Sequence, residues 1–291
     1  MPSLDLAGWV SPKEEATGRP AAVHNRAMTL DDKMVAAYRR DGFLMLPPGT
    51  LPDGVLDDIR NAVPRVMDQE GPHRILERDG TTVRSVYGPH QTDPVLSKVV
   101  RLPVLVEAAK QLIGDDVYVH QSKINVKASF TGDQWEWHQD YINWLRADAI
   151  QRPDLVNVAV FLDEVNEFNG PLTFIPGSHR NGLLAGTDSD GMPVGYEDAP
   201  SWVSTLTANE KFQLDHAVIE SEARRGGLVS AKGPAGSVLM FHANVLHASG
   251  PNLSPFRRAV LLLVYNGVGN APLEVANPRP AFLAEREIAA L

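Results

Sequence analysis

Apolar residues recur at helical spacing three times in the first 113 positions. Leu30, Met34 and Tyr38 follow a Thr or Asp suited to capping and predict a helix over 29–40, stopped before Asp41 and Gly42. Residues 51–67 read as a second amphipathic helix and 104–113, closed by Gly114, as a third. Between the first two, Phe43, Leu44, Met45 and Leu46 form a short strand that runs into Pro47 and Pro48. From residue 117 the period changes. Short β-rich runs at 117–126, 134–141, 157–162, 172–175, 237–241 and 258–265 alternate with Gly, Pro and Asn, which predicts a β-sandwich or barrel buttressed by the helices.

Two stretches lack such patterning. Residues 1–28 mix Pro, Gly, Glu, Lys and Ala without periodicity and are expected to be a poorly ordered N-terminal arm, leaving 29–291 as a single domain. Residues 180–232 are polar, rich in Gly, Asp and Glu, with a helix expected near 207–216; an insertion of this length serves either as a lid over a substrate or as a plain surface excursion.

Composition narrows the chemistry. The chain of 291 residues is 43% hydrophobic and 22% charged, enough for one large core. Its formal net charge of -9 repels phosphate backbones and anionic membranes, which argues against a nucleic-acid partner and a membrane partner alike. There is no cysteine, so a disulfide, a thiolate metal site and a cysteine nucleophile are all excluded, and any metal must be held by His, Asp or Glu. The longest apolar runs, such as 259–264, are too short to span a bilayer, and the N-terminus lacks a signal-peptide core, so a cytoplasmic protein is expected. The pattern assigns no oligomeric state.

Within the β-rich half, His138 and Asp140 sit two apart on a predicted strand, where both side chains project from one face and can address one point in space. A His-x-Asp pair arises readily by chance; the segment after the 237–241 strand gives it weight. That segment holds His242 and His247, and either imidazole completes a two-histidine, one-carboxylate set with positions left open for a chelating co-substrate and O₂. His242 ends an apolar strand and suits a core role. His247 lies among small residues, and Arg258, downstream of it, can offer a guanidinium fork to the distal carboxylate of a metal-bound 2-oxoacid.

Taken in order, His120-Gln121-Ser122-Lys123-Ile124-Asn125, Trp137-His138-Gln139-Asp140, Asn169-Gly170-Pro171-Leu172, Ile175-Pro176-Gly177-Ser178-His179, His247-Ala248-Ser249 and Ser254-Pro255-Phe256-Arg257-Arg258 resemble the phytanoyl-CoA dioxygenase superfamily. Within it the series is most similar to the amino-acid hydroxylase branch that includes proline 4-hydroxylase, leucine 5-hydroxylase and ectoine hydroxylase. The resemblance runs from about Thr29 to Ala284. It implies a double-stranded β-helix (jelly-roll, cupin-like) core with flanking helices and an iron(II) centre on His138, Asp140 and His247. It also implies Arg258 as the 2-oxoglutarate clamp, with Ser249, Asn125 and, more weakly, Gln121 as helpers. His242 receives no metal role. Because the carboxylate ligand Asp140 is present, hydroxylation is expected rather than the chlorination of related iron halogenases.

The implied reaction consumes 2-oxoglutarate and O₂, releases succinate and CO₂, and inserts one oxygen into an unactivated C–H bond. For the substrate, Arg84 is expected to pair with a carboxylate, while Trp144, Phe168 and His90 are expected near the pocket. With no dense Lys/Arg cluster to meet coenzyme A phosphates, a free amino acid or a similar small zwitterion fits best. The alternatives are a tailoring oxygenase of natural-product biosynthesis acting on a larger scaffold, and a non-catalytic ligand-binding β-helix protein.

Overall fold

A computed structural model describes residues 29–184, 186–188, 200, 202–203, 206 and 212–291. The expected arm at 1–28 and part of the insertion, chiefly 189–199 and 207–211, fall outside them. The chain opens with α1 (Asp32–Asp41), β1 (Phe43–Leu46) and α2 (Val55–Met67), followed by the hairpin β2 (Arg74–Leu76) and β3 (Val83–Tyr87). Three helices, α3 (Pro89–Thr92), α4 (Pro94–Val99) and α5 (Pro103–Ile113), lead to β4 (Val117–Lys127), β5 (Trp135–His138), α6 (Asp140–Asp148), β6 (Leu155–Phe161) and β7 (Leu172–Phe174). Then come β8 (Gly186–Asp188), β9 (Phe212–Leu214), α7 (His216–Gly226), β10 (Val229–Ala231), β11 (Val238–His242), β12 (His247–Ser249) and β13 (Arg258–Gly267).

The helix starts and stops follow local chemistry. Asp31 accepts from the Met34 amide at 2.7 Å and caps α1, while Gly42, at φ 85°, supplies the left-handed closing residue. The helix expected near 207–216 is corrected. Of its described residues, Phe212–Leu214 are a strand, Asp215 is the cap, and the helix begins only at His216; 207–211 lie outside the described residues.

Seven strands form one antiparallel sheet in the order β1-β11-β6-β13-β4-β3-β2, and four form a second, β10-β7-β12-β5; β8 and β9 make a separate pair. The large sheet has two apolar faces. Val156, Val158, Val160, Ala259, Leu261 and Leu263 pack outward against α1, α2, α4 and α5, whereas Ala159, Phe161, Val260, Leu262, Leu239 and Phe241 point inward with Phe174 of the small sheet. These alternations reflect the two-residue period of a strand buried on both sides. The result is the expected double-stranded β-helix, with the functional cavity in the interior between the sheets. No helix among the described residues is long and apolar enough to cross a membrane.

Candidate metal centre and active site

β5 and β12 are neighbours in the small sheet, and their register sets His138 opposite His247, with ring centroids 4.2 Å apart. The strand expected over 134–141 is shorter. β5 ends at His138, Gln139 is still extended, and Asp140 is the first residue of α6. The extended backbone at Gln139 keeps the two-residue relation, so His138 and Asp140 still project to one side, and the helix begins only with the carboxylate ligand itself. Asp140 Oδ1 lies 3.5 Å from Nε2 of His138, and Oδ2 lies 3.8 Å from Nε2 of His247. One ligand atom from each residue falls within 4.8 Å of the others.

The hydrogen bonds around the trio suit a metal. Nδ1 of His138 donates to the Glu136 carbonyl at 2.6 Å and Nδ1 of His247 donates to the Val245 carbonyl at 3.1 Å, which leaves the lone pair of each ring on Nε2. Burial lowers the His247 imidazole to about 4, with His138 beside it pushing the same way, so the ring is neutral at ordinary pH. Burial would raise the Asp140 carboxyl, but His247, His138 and Lys123 more than offset it and hold it well below the usual carboxylate range. Asn157, in the middle of β6, donates to Asp140 Oδ2 at 3.0 Å and fixes the carboxylate's orientation. His242 is elsewhere: its ring sits 5.1 Å from that of His179 and 6.4 Å from Tyr38, and its Nδ1 accepts from the Asn244 amide.

The cavity that holds the trio is also walled by Tyr87, Lys123, Trp135, Asn143, Trp144 and Arg279, together with Gln121, Asn125, Ser249 and Arg258. Arg258 is buried. Its Nε donates to the Asn169 carbonyl at 3.4 Å and its Nη2 to the Gly170 carbonyl, leaving Nη1 unbonded among the described residues. Gly170, at φ 70°, can take no side chain: a Cβ there would strike the Gly250 carbonyl and the Lys127 stem. Burial lowers the Arg258 guanidinium to about 10, against the pull of Asp163, so it is still charged near neutrality. No carboxylate among the described residues pairs with it. The Ser249 hydroxyl and the Asn125 side-chain oxygen are buried without a hydrogen-bond partner among the described residues, as are Asn143 Oδ1 and the Tyr87 hydroxyl. Buried polar atoms left this way are costly unless a ligand meets them. A charged fork, orphaned acceptors and a His/His/Asp corner therefore fit iron(II) and a chelating 2-oxoacid.

Of the residues singled out in the sequence, His138, Asp140, His247, Arg258, Ser249, Asn125, Gln121 and Trp144 converge on this cavity. Three do not. Arg84 is buried behind Trp135, its Cζ 4.0 Å from the ring centroid, and the carboxylate it meets is Glu77, at 3.0 Å. His90 hydrogen-bonds the Ser122 hydroxyl at 2.6 Å. Phe168 is 61% exposed. Sequence reasoning also missed wall residues. Asn157 interrupts the apolar strand β6, a signal that was there to be used; Lys123 lies in a polar run of β4 that did not single it out, and Arg279, in the irregular segment after β13, carried none.

Two imidazoles and a carboxylate on a double-stranded β-helix, facing a buried arginine fork, define a 2-oxoglutarate-dependent non-haem iron oxygenase. The family model described as phytanoyl-CoA dioxygenase (PhyH) matches residues 38–260, and the chain belongs to that family. An L-proline trans-4-hydroxylase of Streptomyces griseoviridis is 38% identical over 262 residues, covering 90% of this chain and 94% of its own. An ectoine dioxygenase of Bordetella bronchiseptica is 34% identical over 269 residues, covering 90% and 84%. Among solved structures, EctD from S. alaskensis with 2-oxoglutarate and 5-hydroxyectoine superposes with a TM-score of 0.75 at 30% identity, covering 90% of this chain and 86% of that one. The chain is an iron(II)- and 2-oxoglutarate-dependent dioxygenase.

Proposed function

We propose that this enzyme hydroxylates an unactivated C–H bond of a free amino acid or a similar small zwitterion, of proline-like or leucine-like size. The observation that carries the reading is the polarity of the cavity wall. Besides Arg258, two cations face it, Lys123 and Arg279. Lys123 has no ion pair among the described residues and rests over the rings of Trp135 and Tyr87 at 5.2 and 5.4 Å. Arg279 is held by Asp148 through Nε at 2.9 Å and Nη2 at 2.5 Å, and its Nη1 makes no bond to a described residue. A substrate carboxylate set between Lys123 and Arg279 takes the role first expected of Arg84. An ammonium group then has Asn143 Oδ1 and the faces of Trp144 and Tyr87 within the same walls. An acyl chain would leave all of these unpaired. The substrates of the similar hydroxylases, proline and ectoine by name, are of this size and charge.

In this reading His138, Asp140 and His247 hold iron(II), and Arg258 with Ser249 and Asn125 receives the distal carboxylate of 2-oxoglutarate. The bound iron and co-substrate supply the oxidising chemistry: 2-oxoglutarate and O₂ become succinate and CO₂ as one oxygen enters the substrate C–H bond. The protein's part is to orient the carbon and to keep water out. Phe241, Leu172, Val260 and Leu262 provide the dry floor. Of the insertion, the described residues Trp202 and Leu206 cover part of this chamber: Leu206 lines it, and both pack with Tyr87 and Phe282. A free amino acid as substrate goes with a cytoplasmic site of action.

The test is to load purified protein with iron(II) and 2-oxoglutarate without oxygen, admit O₂, and follow succinate and a mass gain of one oxygen atom across free amino acids and ectoine. Substrate-dependent succinate with a hydroxylated product is the expected result. Oxidation of none of them, with co-substrate still bound, would overturn the small-zwitterion reading in favour of a larger scaffold.

A further inference from the structure

Lys127 is a lysine with almost no access to water, 1% exposed, placed in register opposite Arg258 across β4 and β13. Residues directly opposite on one face have Cβ atoms roughly 4.5–5.5 Å apart, so the two basic side chains start from neighbouring points of the same wall. Lys127 Nζ donates to the Asp133 carbonyl, and its stem fills the space above Gly170, whose carbonyl accepts from Arg258. Gly132 packs equally close on the Lys127 backbone, and Asn252 donates to the Lys127 carbonyl at 3.1 Å. The side chain is thus enclosed by the same turns that seat Arg258.

The charged groups facing Lys127 come from several elements. Arg258 of β13 and Arg84 of β3 disfavour its charged form; Glu77, after β2, and Asp133, before β5, favour it. Arg84 is itself neutralised by Glu77, and Asp133 lies 3.7 Å from Arg78. Burial is the largest influence and, with the two arginines, lowers the Lys127 ammonium to about 6. Arg258, drawn on by Asp163 but paired with no carboxylate among the described residues, is the cation at its side that an incoming dicarboxylate would neutralise.

We propose that Lys127 is a positioning residue for Arg258 that takes up a proton when the distal carboxylate of 2-oxoglutarate binds. The proposal rests on the reading of Arg258 as the carboxylate clamp. Without co-substrate the amine is neutral above its depressed value and adds no second charge beside the arginine. A carboxylate on Arg258 supplies the missing negative charge and makes the ammonium form favourable, so the proton moves from solvent to Nζ. By linkage, co-substrate affinity then falls with rising pH across the window that starts at about 6 and ends at the higher value of the bound state. The slope approaches about tenfold per pH unit at full uptake of one proton.

The experiment is calorimetric titration of 2-oxoglutarate into manganese(II)-loaded protein, which does not turn over, in buffers of differing ionisation enthalpy. Net uptake approaching about one proton per site is expected for the wild type. Lys127→Met should abolish uptake and flatten the pH dependence. Lys127→Arg, whose charge is fixed, should do the same while keeping a basic group in place, and it serves where Met at a buried site prevents folding. Absence of uptake in the wild type, or its persistence in either variant, overturns the proposal. Arg258→Ala separates the two levels: unchanged affinity in that variant means the clamp reading itself fails, whereas weakened binding with no wild-type uptake means that only Lys127's role fails.

Discussion

Replacing Asn157 with alanine takes one hydrogen bond from the metal's carboxylate ligand and touches nothing else that would contact iron. Asn157 is 3% exposed, flanked on β6 by Val156 and Val158, which face the helices, and its Nδ2 donates to Asp140 Oδ2 at 3.0 Å. Without it, Oδ2 keeps, among the described residues, the His247 contact at 3.8 Å, and the carboxylate loses the hydrogen bond that sets its rotation. A hydrogen bond to a charged group contributes about 1.5–3 kcal/mol, and about 1.4 kcal/mol is a factor of ten, so iron(II) affinity should fall by roughly one to two orders of magnitude. The fold should tolerate the change, because the vacated space opens onto the cavity and not into the helix-facing core. The assay is anaerobic competition for iron(II) against a chelator of known affinity, with manganese(II) titration as a check. Asn157→Asp tests the same bond from the other side: a second carboxylate against Oδ2 should raise the Asp140 carboxyl and weaken metal binding at least as much. An alanine variant that binds iron within twofold of the wild type would refute the claim that Asn157 orients the ligand.

Three further outcomes follow from the geometry. Arg258→Lys should raise the KM for 2-oxoglutarate by roughly tenfold or more and leave iron affinity unchanged, since a point charge replaces a fork already anchored on the Asn169 and Gly170 carbonyls; steady-state succinate formation measures it. Asp148 is buried between His120, at 3.1 Å, and Arg279. Burial opposes its ionisation, but those partners hold its carboxyl below the usual range, so its stabilisation is present above the unfolded value of roughly 3.9 and is lost as pH falls through the lower folded value. Asp148→Asn should therefore flatten the acid limb of the urea midpoint against pH, and an unchanged limb would speak against it. Phe174→Ala should lower stability by about 3–5 kcal/mol in denaturant titration, since the ring is fully buried and stacks on Phe43 at 4.7 Å between the two sheets.

How much of this was legible in the sequence depends on whether a residue's partners were local. The central strands β6, β11 and β13 of the large sheet announced themselves because they are apolar on both faces, and the ladder between β4 and β13 lies within a residue or two of the expected bounds; the hairpin β2–β3, short and broken by Arg84 and Ser85, gave no such pattern. The metal trio was legible because its first two members are local: extended backbone through Gln139 puts His138 and Asp140 on one side, as their spacing implied, although the strand ends at His138 and not at Tyr141. Arg84 shows where such reading fails. Its character as a buried arginine needing a carboxylate was read correctly, but Glu77 lies across the β2–β3 hairpin and meets that need inside the protein. Asn157 was visible as a polar break in an apolar strand; that it meets the iron corner is decided by sheet order, β6 lying beside both β11 and β13, and sheet order is a property of long-range pairing. Arg279 is the extreme case. It reaches the cavity wall because the segment after β13 returns across the barrel, held there by Gln121 on the Leu283 carbonyl, by the Glu285 amide on the His120 carbonyl, and by Asp148, at the far end of the helix that begins with Asp140. One helix therefore carries a metal ligand at its first residue, wall residues Asn143 and Trp144 in its body, and at its last residue the anchor of the cation facing them. Any shift of that helix must move the iron corner and the substrate end of the cavity together, which ties the choice of substrate carbon to the position of the metal.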